Sequence, residues 1–203
     1  MPMLRRVVAL AAGSLFLASC AVPGQGAPGS LASWDGQTVT SSQVDAITQA
    51  WDDETDGAQI VTRRVALTYE LLGDAFIDAA AEAGTPVREG DARSLAQMWL
   101  TAAGIENPEP GPEVVASTHA IAALYALTTV PDGRALIEEA AAALEEDGTF
   151  SPRVGEFTTE QLITSITQAY TIADSLGLGD QSFIAFSRVS GFADADQPWA
   201  AHE

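Results

Sequence analysis

The sequence predicts a mainly α-helical protein of several helices, with a short β-hairpin near its start and a small helix-and-strand extension at its carboxy end. Three observations predict it. Apolar residues recur at 3.6-residue spacing through most of the chain from Val44 to Ala173. Gly and Pro stand where those runs stop, as helix ends require. A different signal comes early, at Trp34-Asp35-Gly36-Gln37, where an Asp-Gly pair separates two short strand-like runs and favours the φ > 0 turn of a tight hairpin.

Ahead of the hairpin, Arg5 and Arg6 are followed by the apolar run Val7 to Leu17 and then Leu17-Ala18-Ser19-Cys20. A charged start, a short apolar stretch and small residues before a cut describe an export signal, too short to span a bilayer as a permanent helix. Cys20 is the only cysteine. Residues 1–19 therefore read as a bacterial lipoprotein signal peptide and Cys20 as the lipidation site, with palmitate-type acyl chains holding the protein at the extracytoplasmic face of the cell membrane. Residues 20–32, dense in Gly and Pro and without periodicity, read as a flexible tether.

The fold is expected to begin near Ser33. After the hairpin, Thr40 reads as a helix N-cap, with Gln43 completing a capping box and Val39 and Val44 as its hydrophobic staple. A helix then runs to about Trp51 with Val44, Ile47 and Trp51 on one face. Asp52 to Gly57 breaks it. Asp52, Glu54, Asp56 and Gly57 match the first half of a calcium loop, but its twelfth position falls on Arg63 where a bidentate carboxylate is required, so a solvated loop is the better account. A long helix follows from about Ala58 to Ala83, with Val61, Val65, Thr68, Leu72, Ala75, Phe76 and Ala79 on one face, Gly73 as a mild flaw and Gly84 as its stop. Another runs from about Glu89 to Ala103, carrying Leu95, Met98 and Trp99.

Asn107 to Pro112 holds three prolines and cannot be helical, which makes it a hinge or loop. Glu113 to about Thr128 forms the next helix, with Val115, Thr118, Ala122 and Tyr125 on one side. Pro131 is placed as the N1 residue of a helix reaching about Glu146, closed by Gly148. Thr149 to Phe157 reads as extended. Thr158 and Gln161 repeat the capping-box signature before a last helix through Leu162, Ile166, Ala169, Tyr170 and Ala173, ending at Gly177. Phe183 to Val189 is expected as a strand. Residues 158–203 are thus expected as a helical and extended appendage to a domain spanning 33–157.

Charge narrows the partners. The chain carries 28 acidic residues against 9 arginines and no lysine, for a formal charge of −19; loss of residues 1–19 removes two arginines and no acid, giving −21. The remaining arginines are scattered, so neither nucleic acid nor an anionic lipid surface is expected as a partner. With Cys20 committed to lipid, no disulfide or thiolate metal site can form, and stability must come from an apolar core.

No catalytic constellation is evident. The histidines are His119, within a helical pattern, and His202, next to the terminus. Neither has a companion nucleophile or base, and no P-loop, Gly-X-Ser-X-Gly or His-Glu-X-X-His occurs. The pairs Glu138-Glu139 and Glu145-Glu146 read as solvated helix faces. The expectation is a protein that is not an enzyme and uses no cofactor or metal.

Binding is expected from aromatic and methionine side chains. Trp34, Trp51, Trp99 and Trp199 are the four tryptophans. At helical spacing Trp51 and Trp99 fit a core. The alternative is a shallow apolar groove shared with Met98 and Tyr125, the adaptable kind of surface that takes unfolded segments. The sequence leaves both open.

The order of these pieces resembles the amino-terminal domain of SurA- and PrsA-like extracytoplasmic chaperones, in their lipoprotein form. Residues 32–45, Ala32-Ser33-Trp34-Asp35-Gly36-Gln37 through Val44-Asp45, follow that family's strand, Asn-Gly or Asp-Gly turn, second strand and capped helix. Residues 62–87 are similar to its long helix and turn, and Ser151-Pro152-Arg153-Val154-Gly155-Glu156-Phe157 stands where the family tends to have Asn-Pro-Arg-Tyr-Gly and an aromatic residue. Ser151 and Val154 depart from that pattern. The remaining 158–203 is too short for the parvulin isomerase domain of fuller members, so the resemblance implies a SurA amino-terminal-like fold without isomerase activity. It implies a holdase or folding helper whose partners are unfolded or exported polypeptides. The alternative is a non-chaperone envelope interaction or scaffold lipoprotein with one fixed protein partner.

Overall fold

The computed structural model describes residues 29–58 and 60–193. Strands β1 (Ser30–Trp34) and β2 (Gln37–Thr40) pair antiparallel, Trp34 opposite Gln37 and Ala32 opposite Val39. Asp35 and Gly36 join them at φ of 47° and 75°, the doubly left-handed turn whose twist matches that of the strands. β1 begins three residues ahead of the expected edge at Ser33, because Leu31 and Ala32, assigned to the tether, are fully buried in the core.

Thr40 caps α1 (Ser41–Glu54) as expected. The Gln43 N–H donates to Thr40 Oγ1 at 3.4 Å and the Thr40 N–H to Gln43 Oε1 at 2.9 Å. Its buried face is Val44, Ile47 and Trp51, and the helix continues a turn past Trp51. α2 (Arg63–Glu82) starts after Thr62, whose hydroxyl accepts the Val65 N–H; the five residues from Ala58 lie outside it. α3 (Glu89–Ala102) buries Ala92, Ala96, Trp99 and Leu100.

α4 (Pro112–Thr128) is the central helix, with Pro112 at its first position, and it packs along both α2 and α3. Buried residues cover it all round, Val114, Thr118, Ile121 and Leu124 among them, so the single apolar side expected of it is only part of what it buries. Gly73, a flaw by helix propensity, is where α2 meets α4: a Cβ there would lie 2.9 Å from the Ala120 Cβ. α5 (Gly133–Asp147) begins two residues after Pro131. Pro131 instead occupies a turn closed by the Gly133 N–H on the Val130 carbonyl at 3.1 Å, the second position of a β-turn being the other place its fixed φ suits.

β3 (Thr149–Phe150) then pairs with the free edge of β1, giving a three-stranded antiparallel sheet in the order β2-β1-β3. α6 (Thr159–Leu176) is capped by Thr158, whose hydroxyl accepts the Gln161 N–H at 3.1 Å. The reciprocal half of the expected capping box is replaced, since the Thr158 N–H donates to the Gly191 carbonyl at 3.0 Å. α6 ends at Gly177 in the left-handed region, as expected.

Two expectations for the carboxy end are corrected. Phe183 to Val189 is not a strand: Val189 is the extended residue that closes a 3-10 helix, Gly179–Arg188, and Phe183 to Arg188 lie within that helix. Its three-residue repeat turns Phe183 and Phe186 inward together, where a strand would send them to opposite faces. The segment is also no appendage: Phe183, Phe186, Val189 and Phe192 join the one core cluster that contains α1 to α6. Phe192 bridges Phe157, and the Tyr69 hydroxyl donates to the Phe186 carbonyl at 2.8 Å.

Candidate functional site

Cys20, Trp199 and His202 lie outside the described residues. Trp51 and Trp99 come together, as core. Trp51 is 0% exposed, and its indole N–H donates to Ser117 Oγ at 2.8 Å. Trp99, 3% exposed, packs on it with ring centroids 4.9 Å apart and meets Phe183 edge-on at 5.8 Å. Buried rings with the polar atom satisfied are packing elements, so the groove reading for this pair is overturned. Met98, beside Trp99 in sequence, is 36% exposed. Tyr125 is half-buried against Phe186 at 5.2 Å.

Phe186 also packs against a second tyrosine. Tyr170 meets it edge-on at 5.3 Å and is 36% exposed, and its hydroxyl hydrogen-bonds that of Thr128. Burial, then Tyr170, then Asp180 push the Tyr125 hydroxyl above its ordinary range, so it stays neutral. Beyond Tyr170 opens a groove of about 240 Å³ between the end of α4, α5 and α6. Ile163, Ile166, Thr167 and Tyr170, one face of α6 at spacings of three and four, form one wall, while Ile137 and Arg134 of α5 stand opposite. Arg134 is the sole charged residue lining it, and its guanidinium reaches Glu138 at 2.8 Å. In a chain so rich in acid, an apolar groove lined without a carboxylate is a distinctive surface.

The contrast is the cavity of about 400 Å³ between the end of α1 and the Pro-rich loop, where Asp53, Glu54, Asp56, Glu106 and Glu109 surround Leu100, Ile105 and Pro108. Glu54 there accepts the Gly111 N–H at 2.9 Å and ties that loop to α1. Arg63, in the place of a calcium ligand, pairs with Asp45 at 2.9 Å. Among the described residues no group of three or more His, Cys, Asp or Glu side chains could hold a metal ion. The His119 ring N–H donates to the Val87 carbonyl at 2.7 Å, fastening α4 to the loop before α3. No helix among the described residues is long and apolar enough to cross a membrane.

Of the four residues expected to bind peptide, then, Trp51 and Trp99 are core, Met98 is exposed, and Tyr125 borders the aromatic layer behind the groove. Sequence reasoning missed Ile163, Thr167 and Arg134. It read the α6 stripe through Leu162, Ile166, Ala169, Tyr170 and Ala173, of which Leu162, Ile166, Ala169 and Ala173 are buried while Ile166 and Tyr170 also line the groove. Ile163, one position from Leu162 at the edge of that stripe, was the available signal. Comparison with family models, with curated proteins and with solved structures finds no match to this chain.

Proposed function

We propose that the protein is a lipid-anchored extracytoplasmic holdase or folding helper, held at the membrane through Cys20, that shields apolar segments of exported polypeptides in the α5–α6 groove without nucleotide, cofactor or metal. The observation that carries this reading is the groove itself: apolar walls, an aromatic rim at Tyr170 and no lining carboxylate, on a chain of formal charge −19. Such a surface accepts aliphatic and aromatic side chains without a strict polar code. The Asp-Gly hairpin and capped helix that open the fold, in the order in which SurA- and PrsA-like domains open, support the same reading.

The test is suppression of aggregation of several unrelated unfolded proteins. Ile163→Asp puts a carboxylate in the groove wall at a half-buried position. Suppression is expected to weaken by about tenfold, equivalent to about 1.4 kcal/mol of client binding, when read well below the melting midpoint of the variant, because Ile163 also packs against the core. Equal suppression by this variant would remove the groove from the function. Failure to suppress any client, together with recovery of one stoichiometric partner, would favour a scaffold lipoprotein with a fixed partner.

A further inference from the structure

The opening hairpin carries a chemistry that neither the core nor the groove uses. The chain holds four Asp-Gly pairs, Asp35-Gly36, Asp56-Gly57, Asp132-Gly133 and Asp147-Gly148. In such a pair the glycine nitrogen can attack the aspartate Cγ, because glycine has no side chain to crowd the approach. The N–Cγ bond forms, the Cγ–OH bond breaks, and the hydroxyl leaves as water with the amide proton, giving a cyclic imide. Water then returns to either ring carbonyl. Opening at the main-chain carbonyl leaves isoaspartate, in which the main chain runs through the side chain and is longer by a carbon atom.

The fold separates the four pairs. The Gly57 N–H donates to the Asp52 carbonyl at 2.8 Å, the Gly133 N–H to the Val130 carbonyl at 3.1 Å and the Gly148 N–H to the Leu144 carbonyl at 2.9 Å. Each of these bonds must break before its nitrogen can turn to attack. Gly36 differs. Among the described residues neither its N–H nor the Asp35 carboxylate has a hydrogen-bond partner, and both residues are exposed at the tip of the hairpin. The consequence of a longer main chain is also greatest there. Asp35 and Gly36, at φ of 47° and 75°, form the two-residue turn that sets Trp34 opposite Gln37, and loop length fixes the register of a hairpin. β1 carries the buried Leu31 and Ala32 and pairs with β3 on its other edge, while β2 leads through the buried Val39 to Thr40, the cap of α1.

We propose that Asp35 is a spontaneous modification site that converts through the cyclic imide to isoaspartate, and that the lengthened turn loosens β1 and β2 and so limits the working life of the folded protein.

The test incubates the full chain in detergent for several weeks at neutral pH in heavy-oxygen water. Isoaspartate is then counted at each Asp-Gly pair by electron-transfer mass spectrometry of the digest. The folded protein is expected to accumulate it, with heavy oxygen incorporated, several-fold faster at Asp35 than at Asp56, Asp132 or Asp147. In urea the four rates should converge, since the bonds that protect the other three are gone. The wild-type melting midpoint should fall as Asp35 converts, while Asp35→Glu, which would have to close a larger ring, should hold its midpoint through the incubation. Conversion at Asp35 no faster than at the other pairs overturns the site, as does the same ranking in urea. A wild-type midpoint that stays constant while Asp35 converts overturns the loosening, and this readout does not depend on how the variant folds. No client enters the measurement, so its outcome is independent of the holdase reading.

Discussion

Gly73 separates two effects that oppose each other at one position. Alanine would gain about 1 kcal/mol of helix propensity over glycine. Its Cβ, however, would lie 2.9 Å from the Ala120 Cβ, closer than packed carbons tolerate. Moving α2 off α4 disturbs the central interface, and overpacking of this kind costs about 1–3 kcal/mol. Gly73→Ala is accordingly expected to lower the urea midpoint; a raised midpoint would mean that the two helices part freely. Propensity alone scores Gly73 as a defect because the other half of the contact is on a different helix.

Glu70 supplies a pH-dependent term. Burial, and then the neighbouring Asp74, push its carboxyl above the usual range. The folded state thus holds this proton more tightly than the unfolded chain. The stability it contributes is fully present below the unfolded carboxylate value, about 4.3, and is lost as the pH rises through the folded value. Glu70→Gln is therefore expected to raise the melting midpoint at pH 7, the difference from wild type disappearing below the ordinary carboxylate range. A midpoint lowered at pH 7 would show that the ionised side chain is favourably paired.

At the scale of elements, what could be read from sequence was set by the range of the interaction. The Thr40–Gln43 cap spans three residues and the Asp35-Gly36 turn two, so both are legible locally. The bond from Trp51 to Ser117 spans 66 residues, and nothing near Trp51 says whether its indole has a partner. Pro131 shows a local rule with two solutions, a helix N1 or a turn. The carboxy segment was misread because Phe183 and Phe186 carry both a strand-like composition and a three-residue repeat, and only the shared wall formed by Trp99, Tyr125 and Tyr170 selects the second.

Removal of residues 178–203 follows from that packing. It takes Phe183, Phe186, Val189 and Phe192, all at most 3% exposed, out of the core. At about 1.5–3 kcal/mol for each buried side chain, the loss is comparable with the roughly 5–15 kcal/mol that holds a domain folded. The shortened chain is expected to lose its cooperative thermal transition by circular dichroism. A transition matching that of the full chain would restore the appendage reading.

On the whole molecule, the acid excess and the groove belong together. Net charge of this size favours solubility and repels acidic neighbours, and the proposed clients would be held only where the surface is apolar and free of carboxylates. The composition was plain in the sequence. The position of the groove was not, because it is assembled from α4, α5 and α6 and its wall residues flank the core stripe of α6. The helical class and the opening hairpin were legible; whether Trp51 and Trp99 served core or groove was not, and both build the core.

The most direct test places a photo-crosslinking amino acid at Thr167, a groove-lining position on α6, with Glu106 in the acidic cavity as the control. The account predicts light-dependent adducts from Thr167 to at least two unrelated unfolded proteins, lost with Ile163→Asp, and none above background from Glu106. Equal yields from both positions, or none from Thr167 while the protein still suppresses aggregation, would contradict it.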